Sequence, residues 1–169
     1  MTGGLSSASD AIMGFPLPSP MRRALDLAAV AADAGAVPVG AVITLDGEII
    51  AEARNAMRGN LDPTAHAEIV AIRHAATRLG RSRLDGCTLW VTLEPCAMCA
   101  GAIALARVDA LRFAAEDPKG GGVIHGARVF SQSTCHHRPD VLGGIGDEEA
   151  ARQLREFFIA RRDQSPADD

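Results

Sequence analysis

The sequence is short of three things: cysteine, long apolar runs and positive charge. Four cysteines in 169 residues, Cys87, Cys96, Cys99 and Cys135, are too few for a disulfide framework in a chain of this length. The mildly apolar stretch 24–45 carries Asp26, Asp33 and Pro38, and the stretch 87–106 is interrupted by Glu94-Pro95, so neither reads as a membrane span. The first twenty residues lack a basic segment followed by an apolar one, the mark of a secretory signal. The expected setting is cytoplasmic and reduced, with thiols free to bind metal and no membrane partner. A net charge of −4 gives no global attraction to nucleic acid, so a polyanion would have to find a local basic patch.

What is present is an ordinary globular mixture, 47% hydrophobic and 22% charged, in a chain long enough to bury one core. Residues 1–20, rich in Gly, Ser and Pro, are expected to form a flexible leader. A single domain is expected over 21–162, and a frayed tail over 163–169. Apolar spacing and a Gly stop predict a helix over 21–35. Two strands follow in 37–53, joined by Asp46-Gly47, a strong hairpin signal. Asp62-Pro63-Thr64 introduces a helix running to about Leu79, with Pro63 at an early position and Gly80 as its stop. A strand over 87–93, a helix opening after Pro95, a strand over 108–114 and a helix over 148–162 complete the pattern. Residues 123–146 read as irregular. The strand–helix–strand units need parallel crossovers, so the expected fold is α/β: three layers, α/β/α, around a mixed sheet of about five strands. Leu154, Phe157 and Phe158, at helical spacing, are expected first of all to pack into the core.

The chemistry gathers at two places. Cys96 and Cys99 are three apart at a predicted helix start, so both lie on one face, and the helix N-terminus favours their thiolates. Two thiolates with one imidazole suit zinc. His66, in "DPTAHAEIV", is the natural third ligand. Three protein ligands leave one coordination position open, which is the arrangement of a catalytic zinc. His66 and Glu68, at i and i+2, point apart in a helix interior but can both lean over the end of a helix that begins there. The two helix starts must then face each other. An H-x-E pair alone is weak, with about 0.2 expected by chance in this composition, whereas P-C-x-x-C is expected about 0.004 times. Both together make a specific signal.

This H-x-E with P-C-x-x-C pair is the recorded signature of zinc-dependent base deaminases. With "VPVGAVI", "DPTAHAE", "LWVTLEPCAMCAGAI", "EDPKGG" and "REFFIARR", spanning about 37–162, the chain resembles the cytidine deaminase-like superfamily. Within it, the chain is most similar to the bacterial tRNA-specific adenosine deaminases, which form inosine at the anticodon wobble position. The resemblance implies one zinc ion per subunit on His66, Cys96 and Cys99. It implies Glu68 as the proton shuttle and Asn55 as a contact to the bound nucleoside. It places Asp117, Lys119, Phe158 and Arg162 on the RNA side, with the anticodon stem-loop of tRNA as substrate and a homodimer as the assembly.

Other readings stay open from the residues alone. The zinc site would be structural if Cys135, His136 or His137 closed it. The same chemistry serves a deaminase of free guanine, cytosine or a nucleoside, and a zinc-stabilised module without catalysis would show the same ligands. Lys119 and the late arginines, offset by Glu148, Glu149, Glu156 and Asp163, also suit a solvated face.

Overall fold

Alternation along the strands sorts their side chains into two apolar layers. In this computed structural model, which describes residues 15–164, β1 (Gly40–Leu45) sends Ala41 and Ile43 to one face and Val42 to the other. The hairpin predicted at Asp46-Gly47 forms, with both residues at positive φ (51° and 81°), and leads into β2 (Glu48–Arg54). With β3 (Cys87–Leu93), β4 (Ala110–Ala115) and β5 (Asp140–Leu142), the sheet runs in the order β2-β1-β3-β4-β5. The pairs β1–β2 and β1–β3 are antiparallel, and β3–β4 and β4–β5 are parallel. This is the mixed five-stranded sheet that was expected. Its fifth strand lies inside the segment 123–146 that the sequence left irregular, beyond a single 3-10 turn over Val129–Ser131.

Helix α1 (Ser19–Asp33) and helix α5 (Asp147–Gln164) cover one face, joining Met21, Ala24, Leu25 and Ala150 to Val42 and Ala114. Helices α3 (Ala67–Leu79) and α4 (Ala97–Leu105) cover the other, where Ala71, Ala75, Ala100 and Ile103 meet Ile43, Leu89, Val91 and Phe113. A short helix, α2 (Met57–Asn60), precedes α3 and was not foreseen. Gly40 shows how tightly α1 lies on the sheet: a Cβ there would stand 2.0 Å from the Ala24 carbonyl oxygen.

Three boundaries differ from the sequence reading. Helix α1 begins at Ser19, inside the span expected to be leader, and most of that leader and of the tail lies outside the described residues. Pro63 is not in α3. Asp62-Pro63-Thr64 instead forms a turn in which Asp62 Oδ1 accepts from the Thr64 amide and hydroxyl at 2.8 and 2.7 Å, and the helix waits until Ala67. Nor is the late aromatic cluster a core feature. Leu154 and Phe157 are half-buried, while Phe158 stays 49% exposed beside the exposed Ile159. Only Ala150 of α5 is fully covered.

Candidate active site and metal centre

The two helix starts do face each other. His66 is the residue before α3 and Cys96 the residue before α4; both have extended backbones (φ −65°, ψ 153° and φ −69°, ψ 173°). Neither side chain caps its own helix, so both are free to reach across. His66 Nδ1 lies 3.6 Å from Cys96 Sγ and 3.5 Å from Cys99 Sγ. A tetrahedral zinc with bonds of about 2.3 Å to sulfur and about 2.0 Å to nitrogen puts S and N about 3.5 Å apart, so the donor set fits that ion. Protonation in the triad points the same way. Cys96, accepting from the Cys99 thiol and the His66 ring, is lowered to about 4, while Cys99, donating to Cys96 and buried, is held well above the usual thiol range.

Glu68 sits in the first turn of α3 and is 4% exposed. Burial pushes its carboxyl up, and the nearby His66 only partly opposes this. The i/i+2 divergence disappears because His66 precedes the helix and only Glu68 belongs to it. Both line a cavity of about 290 Å³ with Cys96, and its walls include Val37, Val39, Met57 and Leu93. Two more expected residues are here, Asn55 and Asp117. Asn55 Oδ1 accepts from the Met57 amide at 3.2 Å, which holds the side chain in the cavity wall.

The profile of the MafB19-like deaminases matches residues 18–161. The chain belongs to this deaminase family. It is 52% identical to the tRNA-specific adenosine deaminase of Agrobacterium fabrum over 84% of this chain and 93% of that one. A solved structure from studies of A-to-I editing by tRNA:A34 deaminases at the wobble position of transfer RNA superposes with a TM-score of 0.80. It is 51% identical and covers 80% of this chain and 99% of that chain. The guanine deaminase of Bacillus subtilis also shares the fold, with a TM-score of 0.60 and 33% identity over 92% of this chain and 99% of its own.

In this deaminase the other three expected residues lie outside the cavity. Lys119, Phe158 and Arg162 come together in a second hollow of about 620 Å³ along α5. The turn 117–120 serves both places, since Asp117 and Gly120 line the cavity and Lys119 lines the hollow. The rival ligands are elsewhere. Cys135, His136 and His137 lie beside Leu105 at the far end of α4, where the Cys135 thiol donates to the His137 carbonyl and His137 Nε2 meets the Val108 carbonyl at 2.6 Å. Among the described residues they form no cluster with the metal triad.

Sequence reasoning missed Glu94 and His125. Glu94 follows β3, is 2% exposed and accepts five hydrogen bonds from the loop 117–125. Burial alone would raise its carboxyl, but the Asp117 amide, the His125 ring and further amides outweigh it and lower it to about 2. The available signal was an acid ending an apolar strand directly ahead of Pro95-Cys96. Such a charge must find donors, and the glycines at 120–122 let a backbone come close enough to supply them.

Proposed function

We propose that this chain hydrolyses adenosine to inosine at the wobble position of a tRNA anticodon, with one zinc ion per subunit on His66, Cys96 and Cys99. The observation that carries the reading is Glu68, a buried carboxylate two residues from a metal ligand, on the wall of a cavity sized for one nucleoside. Zinc bound there would act as a Lewis acid that makes water a nucleophile near neutral pH. Glu68 takes a proton from the attacking water and passes it to the ring nitrogen beside C6; it then takes the remaining proton from the new C6 hydroxyl and delivers it to the departing amine. Oxygen replaces nitrogen at C6, and ammonia leaves. A raised carboxyl suits this work, because it accepts each proton readily and holds it until delivery.

Asn55 and Asp117 orient the nucleoside in this scheme, and the α5 hollow takes the flanking RNA. Phe158 offers a face for a base, and Lys119 and Arg162 offer charge to phosphates. This local basic and aromatic surface is what a chain of net negative charge requires. An anticodon loop already presents unstacked bases, so extrusion of one costs little. The relatives named as tRNA-specific adenosine deaminases support this substrate over a free base. We further read the protein as a cytoplasmic homodimer. Leu105, 84% exposed, and the exposed Met98 leave apolar surface on α4 for a second copy, and no helix among the described residues is long and apolar enough to cross a membrane.

The test is to offer anticodon stem-loops with wobble adenosine, and separately free bases and nucleosides, while measuring ammonia and inosine. Turnover confined to free guanine or cytosine would replace this reading with the small-molecule one. Bound zinc with no turnover of any substrate would favour a binding module.

A further inference from the structure

Glu94 is a buried carboxylate whose lone pairs are filled by the loop that borders the cavity. Oε1 accepts from the amides of Val123, Ile124 and His125 at 3.2, 2.9 and 3.0 Å. Oε2 meets the Asp117 amide at 2.9 Å and His125 Nδ1 at 2.8 Å. The His125 ring is itself steadied from outside, with Nε2 3.8 Å from Glu116. Burying a carboxylate is costly unless its lone pairs are filled, so the loop's path is dictated by where its N–H groups must point.

Backbone packing tightens the same arrangement. The Gly122 amide donates to the Pro95 carbonyl at 2.8 Å. A Cβ on Gly121 would stand 2.5 Å from the Glu94 carboxyl, and one on Gly122 would stand 2.5 Å from the Ala97 backbone nitrogen. The loop therefore lies flush against the residues that open α4. Asp117 is held at both ends, since its amide binds Glu94 while its Oδ1 accepts from the Lys119 and Gly120 amides at 3.2 and 2.9 Å.

We propose that Glu94, steadied by His125, is a positioning residue: it fixes Asp117 in the wall of the cavity and so sets where the nucleoside sits relative to Glu68. The inference rests on the reading of the site as a deaminase centre. Glu94 acts through Asp117 and touches no reacting atom. It stands two residues before Cys96, so metal donor and loop anchor are set by one short piece of backbone.

Glu94→Gln separates this role from simple support. The amide oxygen can keep the three amides of 123–125, and the His125 ring can change tautomer to accept from the new NH2 group. Only the Asp117 amide then meets a donor. With the full zinc-loaded chain and a wobble-adenosine stem-loop, Glu94→Gln is expected to lower kcat/KM by about 10- to 100-fold while keeping one zinc per chain. On an Asp117→Ala background the same change is expected to cost nothing further, because both act along one route. Undiminished activity, loss of zinc, or an equal further loss on the Asp117→Ala background would overturn the proposal. If Glu94→Gln does not fold, His125→Ala removes one of the five donors and enters the same cycle. A smaller loss that vanishes on the Asp117→Ala background supports the proposal, and no loss, or one that persists there, overturns it. A wild-type protein inactive on the stem-loop would instead sink the tRNA reading, and the cycle would be run on the base that the chain does turn over.

Discussion

His66 Nδ1 and Cys99 Sγ stand 3.5 Å apart although 33 residues separate them in the chain. Two helix starts on neighbouring elements bring them there, and that spacing makes a metal prediction specific. Cys96→Ser is expected to leave the chain with well under one zinc, measured by elemental analysis after gel filtration. Stoichiometric zinc in that variant would remove Cys96 from the ligand set. Chelation of the wild-type protein should also lower its thermal midpoint, because an ion bound only by the folded state stabilises that state.

Glu68 should separate chemistry from metal binding. Glu68→Ala is expected to retain zinc and to lose about 10²- to 10⁴-fold in kcat, the usual worth of a positioned acid–base group. Near-normal turnover in a zinc-loaded Glu68→Ala protein would end its assignment as the shuttle.

The α5 hollow should matter to RNA and not to folding. Phe158 is half exposed, so Phe158→Ala is expected to move the thermal midpoint little while raising KM for the stem-loop severalfold. Arg162→Ala should weaken RNA binding and reduce its salt dependence by about one ion. Equal KM values across these variants and the wild type would take the hollow out of the RNA path.

A pH effect is expected where α5 is tied to α1. Arg22 holds Glu149 through two bonds of 2.9 and 2.6 Å, and the hydrogen bond from Arg22 lowers the Glu149 carboxyl against its burial. A carboxyl lowered by folding stabilises the protein above its unfolded pKa, and the benefit fades as pH falls through the folded value. The pair is partly exposed, so its worth is about 0.5–1 kcal/mol at neutral pH. Glu149→Gln should therefore melt slightly below the wild type at pH 7, and the gap should close as pH falls below the ordinary glutamate range. A gap that widens in acid would reverse the sign argued here.

The legible parts of this protein were those governed by period and punctuation. The 87–93 strand, the Asp46-Gly47 turn and the Gly80 stop follow from local rules, and the structure places them as read. The clustering of His66, Cys96 and Cys99 was legible because H-x-E and P-C-x-x-C carry their own spacing. What stayed hidden depends on contacts distant in sequence. β5 is three residues long, with Leu142 exposed, and exists by pairing with β4, so it has no amphipathic pattern to find. Glu94 looked like a residue between a strand and a proline, and its importance comes from amides 23 to 31 positions later. Phe158 misled in the other direction, since helical spacing tells which residues share a side and says nothing of whether that side is covered.

The glycines at 121 and 122, pressed against the Glu94 carboxyl and the backbone that opens α4, divide the freedom of the loop beside them. Any side chain at those two positions would push the loop off the start of α4, whereas the Pro118 and Lys119 side chains are exposed. The segment is free to change what it displays but not where it runs. Variation in this segment is thus confined to the side chains it presents, along a track fixed by Glu94 and the start of α4.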